Sequence, residues 1–141
     1  MPSKFRFTRE LEVRFADMDS LGHVNNAVYL TYFEQVRMAY WMHVMKKADL
    51  SGMNMILARA EVDFRSPLIA PETIEVGVGC TSIGRTSFVL QQDMHERKTG
   101  RLVAEARKVL VHYDYAVGRP RAIGEDLRRM ILAQDPEAGQ A

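Results

Sequence analysis

The stretch "RFADMDSLGHVNNAVYLTYFEQVR", residues 14–37, contains the change of period that decides the fold. Ahead of it, Phe5, Phe7, Leu11, Val13 and Phe15 share one parity, and Arg6, Thr8, Glu10, Glu12 and Arg14 share the other. Period two is the pattern of a half-buried strand. "ADMDSLGHVN" then supplies the Asp, Ser, Gly and Asn of a loop. Beyond it Tyr29, Phe33, Val36, Tyr40 and Val44 recur every three or four residues, and Leu30, Trp41 and Met45 widen the stripe. This spacing predicts a helix over about 26–47, roughly 30 Å long at the α-helical rise, with Asn25 or Asn26 as its cap.

Downstream, alternation returns. Ile56, Ala58, Ala60, Val62 and Phe64 oppose Leu57, Arg59, Glu61, Asp63 and Arg65, which predicts a strand. Pro67 and Pro71 bracket a connection, because proline cannot serve a central ladder. "TIEVGVGCTS" is the next strand, with Gly77 and Gly79 on its polar parity, where something can lie close against the backbone. The turn "SIGR" leads to "TSFVLQQDMHER", and "KTGR" leads to "LVAEARKVLVHYD". "GEDLRRMILAQ" reads as a short amphipathic C-terminal helix, and the tail from about residue 134, "DPEAGQA", as frayed.

One long helix followed by four strands joined through short turns argues for α+β with a mostly antiparallel sheet. A helix this apolar needs wide cover, so the expectation is a five-stranded sheet curled around it. The sheet's other face would still need a partner, which makes a dimer plausible.

At 141 residues the chain reads as a single domain spanning 1–141. Apolar residues make up 47% and charged residues 26%, as in ordinary soluble proteins. A formal net charge of +1 supplies no broad basic field, so neither nucleic acid nor a membrane surface is expected as a partner. The single cysteine, Cys80, excludes an internal disulfide, and its alternation with Ile74, Val76 and Val78 marks it as a small buried hydrophobe. "MPSKFRFTRE" lacks the apolar core of a signal peptide, and no run approaches membrane-spanning length. The expectation is a soluble, cytoplasmic protein.

The loop gathers Asp17, Asp19, His23, Asn25 and Asn26 just ahead of the helix. A helix start presents free N–H groups and partial positive charge, suited to an oxyanion. A carboxylate beside it can act as base or nucleophile on a carbonyl. Read without any family in mind, the same residues serve capping and turn chemistry, and that is the plainer reading. Asp17 can pair with Arg14 or Arg37, while Glu34 and Arg37 stand one turn apart as a structural pair. The four histidines lie far apart with no HxH or HExxH spacing, so no metal is expected.

The order of residues in "RFADMDSLGHVNNAVYLTYFEQVR" resembles the signature of hotdog-fold acyl-CoA thioesterases of the 4-hydroxybenzoyl-CoA thioesterase-like family. "DFRSPL", "SIGRTSF" and "VLVHYD" extend the resemblance over roughly residues 7 to 115. The resemblance implies a long central helix wrapped by an antiparallel sheet, and a homodimer or homotetramer with active sites at the dimer interface. It further implies CoA thioester substrates and no cofactor. Carried over by position, Asp19 matches the family's catalytic carboxylate and the Asn26 amide matches the donor that polarises the thioester carbonyl. Gly22, His23, Val24 and Asn25 match the loop that shapes the site. Gly84, Arg85, Thr86 and Ser87 match a turn and strand lying near the acyl group or pantetheine arm from the other subunit. Other branches use a glutamate partway along the helix, for which Glu34 is the only acid available. The expected activity is acyl-CoA hydrolysis, with Asp19 as nucleophile or general base. The alternative is a non-catalytic acyl-CoA binder on the same fold, and a hydratase or dehydratase ranks last.

Overall fold

A computed structural model describes residues 3–139. In chain order the elements are β1 (Phe7–Glu12), α1 (Asn26–Met45), β2 (Met55–Phe64), β3 (Thr73–Ile83), β4 (Ser87–Glu96), β5 (Leu102–Asp114), β6 (Arg119–Pro120) and α2 (Glu125–Gln134), with 3-10 turns at Phe15–Asp17 and Pro136–Gly139. The sheet runs β1-β3-β4-β5-β2, every neighbouring pair antiparallel, and β6 adds a two-residue strand beside β5. The long helix α1 packs on one face of this sheet. This is the α+β hotdog arrangement expected from the sequence, with one short strand more than the five anticipated.

The core lies between that face and the helix. Ile74, Val76 and Val78 of β3, Phe88, Leu90 and Met94 of β4, and Ala104 and Leu110 of β5 are buried together with Phe33, Val36, Tyr40 and Trp41 of α1. Trp41 meets Phe88 with ring centroids 5.2 Å apart, and Tyr40 meets Phe7 of β1 edge-on at 5.7 Å. Asn25 starts the helix, its side chain accepting the Ala27 amide at 2.9 Å. Lys46 ends it in the left-handed region at φ 55°, so the helix stops at Met45, the last residue of the stripe, two residues before the expected end at about 47.

Three local features depart from simple alternation. A bulge between Leu57 and Arg59 makes Ala58 an extra residue, so β2 changes face partway along. Leu57, Ala60, Val62 and Phe64 stand opposite the helix-facing Leu110, Lys108, Ala106 and Ala104, which a single parity from Ile56 to Phe64 could not do. Phe15 belongs to a 3-10 turn instead of a strand and is 78% exposed. Gly77 and Gly79 meet the expectation of a close approach: a Cβ on Gly77 would collide with Ser3 Oγ, and one on Gly79 would lie 2.6 Å from the Phe5 ring. Residues 3–5 therefore cross the sheet's outer face, where Ser3 Oγ donates to Asp93 Oδ1 at 2.7 Å.

The C-terminal tail corrects the sequence reading. Asp135 and Ala138 are buried. Asp135 Oδ2 accepts the Tyr40 hydroxyl at 2.5 Å and the Cys80 amide at 3.0 Å, tying the tail to both α1 and β3. An acid at the end of an amphipathic helix gives no sign in sequence of a tyrosine waiting 95 positions earlier. Gln140 and Ala141 lie outside the described residues. Burial pushes the Cys80 thiol up to about 12, consistent with its reading as a packing residue.

Replacing Tyr40 by Phe removes the hydroxyl and leaves Asp135 buried with the Cys80 amide as its remaining donor. The expected loss is about 1–3 kcal/mol of stability, read as a lower urea midpoint with unchanged slope; a midpoint equal to wild type would show that the tail is not held this way.

Candidate active site

The loop between β1 and α1 is pinned at several points. Met18 and Val24 form an isolated antiparallel bridge, the Val24 amide donates to the Leu68 carbonyl at 2.8 Å, and the Asn25 amide to the Asp17 carbonyl at 3.1 Å. Within this frame the two aspartates have different surroundings. Asp17 is buried and its carboxylate accepts from Arg14 Nη2 at 2.7 Å, Arg14 Nε at 3.2 Å and the Tyr32 hydroxyl at 2.5 Å. The Arg14 guanidinium holds the Asp17 carboxyl below the ordinary carboxylate range, against the opposing effect of burial. Arg14, and not Arg37, is therefore its partner, and its lone pairs are taken up in holding the loop to α1.

Asp19 is half-buried and less encumbered. The Leu21 amide donates to its Oδ1 at 2.9 Å, while Asn25 Nδ2 stands 3.4 Å from its Oδ2, a long contact. Its backbone closes a tight turn: the Asp19 amide donates to the His23 carbonyl at 3.0 Å, and the Gly22 amide to the Asp19 carbonyl at 3.1 Å. Gly22 sits at φ 88°, with open space where a Cβ would point. The turn thus needs glycine for its backbone conformation and not for room.

Asn25 spends its side-chain oxygen on the Ala27 amide. The Asn26 amide, at the first helical position, has no acceptor among the described residues. Asn26 lines a cleft of about 250 Å³ together with His23, Tyr29, Phe64, Arg65, Ser66 and Pro67. Tyr29 closes one wall, edge-on to Phe64 with centroids 5.1 Å apart and its hydroxyl 3.4 Å from the Ser66 carbonyl. His23 is half-buried with Nδ1 3.3 Å from the Val24 carbonyl. A carbonyl oxygen placed on the Asn26 amide would feel the helix start, and the neighbouring Asn25, whose Oδ1 accepts the Ala27 amide, directs its Nδ2 at the Asp19 carboxylate. Sequence reasoning misses Tyr32, Phe64 and Ser66 as site residues; the strand ending "DFRSPL" is a signal for the last two.

Arg85, Thr86 and Ser87 lie elsewhere. β3 begins beside Glu12, just ahead of the loop, and ends at Ile83, so about 33 Å of extended strand separates the two regions. There the Thr86 carbonyl accepts the His112 amide, the Arg85 carbonyl accepts the Ile123 amide, and Arg128 reaches the Gly84 carbonyl at 3.0 Å. A single chain does not bring Asp19 and Arg85 together. Glu34 and Arg37 form the pair read from the sequence, 3.7 Å apart. Among the described residues no three of His, Cys, Asp and Glu converge as metal ligands.

Residues 13–131 match the model of the thioesterase-like superfamily. A thioesterase from Thermus thermophilus, solved with coenzyme A and zinc, superimposes with a TM-score of 0.84 at 34% identity, covering 94% of this chain and 96% of that one. A predicted thioesterase from Bacillus stearothermophilus gives the same TM-score at 26% identity, covering 92% and 96%. The long-chain acyl-CoA thioesterase FadM of Escherichia coli (strain K12) is 22% identical over 127 residues, 86% of this chain and 94% of that protein. The uncharacterized protein YsmA of Bacillus subtilis (strain 168) is 26% identical over 88 residues, and that match spans 60% of its length.

Gly22→Ala tests the loop geometry. With nothing to collide with, its cost is the left-handed backbone alone, about 1–2 kcal/mol, and a melting temperature as high as wild type would show that the turn can adopt another conformation.

Proposed function

The chain belongs to the thioesterase-like superfamily, and we propose that it hydrolyses acyl-CoA thioesters to the free acid and CoA. One observation carries this reading: an uncommitted helix-start amide at Asn26, one residue from an asparagine that touches the Asp19 carboxylate, in a loop whose other acid is already neutralised by Arg14. The thioester carbonyl oxygen sits on the Asn26 amide, which stabilises the charge that develops on it. Asp19 either attacks the carbonyl carbon, expelling CoA thiolate and leaving an anhydride that water opens, or takes a proton from the water that attacks. Both routes end with the carbon–sulfur bond broken and a carboxylic acid formed. Gly22, His23 and Asn25 shape the approach to Asp19.

The working unit in this reading is a homodimer. β2 is an edge strand, and Leu30, Leu57 and Phe64 beside it are 42–46% exposed. A long edge with apolar flanks is a template for strand pairing. Antiparallel pairing of β2 with its symmetry copy would set Phe64 of one protomer near Met55 of the other. The Thr86–His112 end of the second protomer would then approach the Asn26 cleft of the first. Arg85 would meet the CoA phosphates there, with Thr86 and Ser87 along the pantetheine arm. The Thermus thermophilus neighbour, solved with coenzyme A, supports CoA as the leaving group.

Thiol release from a panel of acyl-CoAs, followed with Ellman's reagent, tests the chemistry. Asp19→Asn is expected to lower kcat by at least about 100-fold with the fold intact, whereas turnover equal to wild type would remove Asp19 from the mechanism. Asp17→Asn, by contrast, should act mainly through stability.

The shared site has its own test. Asp19→Asn and Arg85→Ala proteins, each impaired alone, are refolded together. A mixed dimer contains one site with both residues intact, so activity should rise above that of either parent; no gain in a mixture shown to exchange subunits would place Asp19 and Arg85 in unrelated regions.

A further inference from the structure

A second cavity, of about 260 Å³, opens between α1, the loop ahead of β2, and β2 itself, and its lining includes Arg37, Met38, Trp41, Met53, Met55 and Leu57. Most of its lining residues are apolar, yet Arg37 and Trp41 among them carry donors without acceptors. Arg37 is 5% exposed and Trp41 is fully buried, and neither Arg37 Nε nor Trp41 Nε1 has a hydrogen-bond partner among the described residues. Lys108 of β5 points the same way as Leu110, which also lines the cavity, and is 1% exposed. Its ammonium lies 4.7 Å from the centre of the Phe33 ring, and no described carboxylate forms an ion pair with it. Across the sheet it faces only Ala60 of β2 and Leu90 of β4. Glu34, the one acid nearby, is 3.7 Å from Arg37 and mostly in solvent.

Two buried cations and an indole N–H are thus offset by a single exposed carboxylate, a net excess of one positive charge in an apolar setting. Burial, with Arg37 adding to it, pushes the Lys108 ammonium down to about 7. Buried donors are normally satisfied, and an unpaired buried charge is costly. Gln92 Oε1, without a partner beside Phe33, is a neutral acceptor only, so the arrangement is one anion short.

The position of the cavity says where that anion comes from. Arg37 follows Asn26 by eleven residues, which returns it to the same face of α1 about 16 Å along the helix axis. β2 lines the way between them, from Leu57 at this cavity to Phe64 at the Asn26 cleft. Resting on the thioesterase reading, we infer that the acyl chain runs along the groove between α1 and β2, and that its far end carries a carboxylate received by Arg37, Lys108 and Trp41. The substrate class is then the ω-carboxyacyl thioesters, with the chain length set by the groove.

The test compares ω-carboxyacyl-CoAs with unsubstituted acyl-CoAs of each length, in wild type and in Lys108→Met, a change that removes an uncompensated charge and fits the apolar wall. Melting temperatures are measured in parallel with the free dicarboxylates and monocarboxylates. The wild type should prefer the ω-carboxy substrate at one length, and the ratio of kcat/KM values should fall by about tenfold or more in Lys108→Met, the range of one charged hydrogen bond. The matching dicarboxylate should raise the wild-type melting temperature and not that of the variant. Equal kcat/KM for both series, or a ratio unchanged by Lys108→Met, overturns the inference while leaving thioester hydrolysis in place. Dicarboxylate stabilisation that depends on Lys108, without turnover of any thioester, keeps the site and removes the thioesterase reading. A variant that changes only the oligomeric state assigns these cations to a partner's carboxylate and overturns it too.

Discussion

A twenty-residue helix with large apolar side chains on most of its circumference has to be covered on most of its circumference. That requirement organises the rest of the chain. Four long strands joined by short turns, with β1 added at one edge, supply a sheet wide enough to take Phe33, Tyr40 and Trp41 out of water. What the chain leaves uncovered is the flank of α1 facing β2, where Leu30, Leu57 and Phe64 remain open. The Asn26 cleft and the Arg37 cavity both lie along that flank. The apolar surface left over from folding and the polar groups left without partners thus share one side of the molecule.

The loop ahead of the helix gives its two acids different surroundings. Asp17, taken out of water, is stable as an anion only because Arg14 and Tyr32 donate to it, and those bonds consume it. Asp19, two residues on, remains half in solvent with one short hydrogen bond. Gly22, at positive φ, closes the turn in which Asp19 sits.

The molecule holds its extremities by polar contacts as well as apolar ones. At one end Ser3 and Phe5 occupy space that only glycines at 77 and 79 leave free. At the other Asp135 joins the tail to α1 and β3 through Tyr40 and Cys80. Both contacts lie far from the Asn26 cleft in sequence, and both brace strands or the helix on which it is built.

Much of this was legible in the chain itself. The switch from period two to period 3.6 after residue 25 placed the long helix, and the alternations from residue 55 onward placed the strands, because a side chain's direction follows from backbone geometry that each element repeats. A cap at Asn25 or Asn26 and the loop ahead of it were readable for the same reason, being local; the structure chose Asn25. The bulge at Ala58, the capture of Asp135 by Tyr40, and the choice of Arg14 over Arg37 as partner of Asp17 were decided only by the tertiary structure. The bulge depends on how β2 registers against β5, and the Asp135 contact on a tyrosine 95 positions away; Arg14, only three residues from Asp17, is its partner because the 3-10 turn folds the two together. Lys108 shows the boundary most sharply: its inward parity on β5 can be read from the alternation of Ala104, Ala106 and Leu110, but that it would meet a second cation, Arg37, and no anion of its own could not.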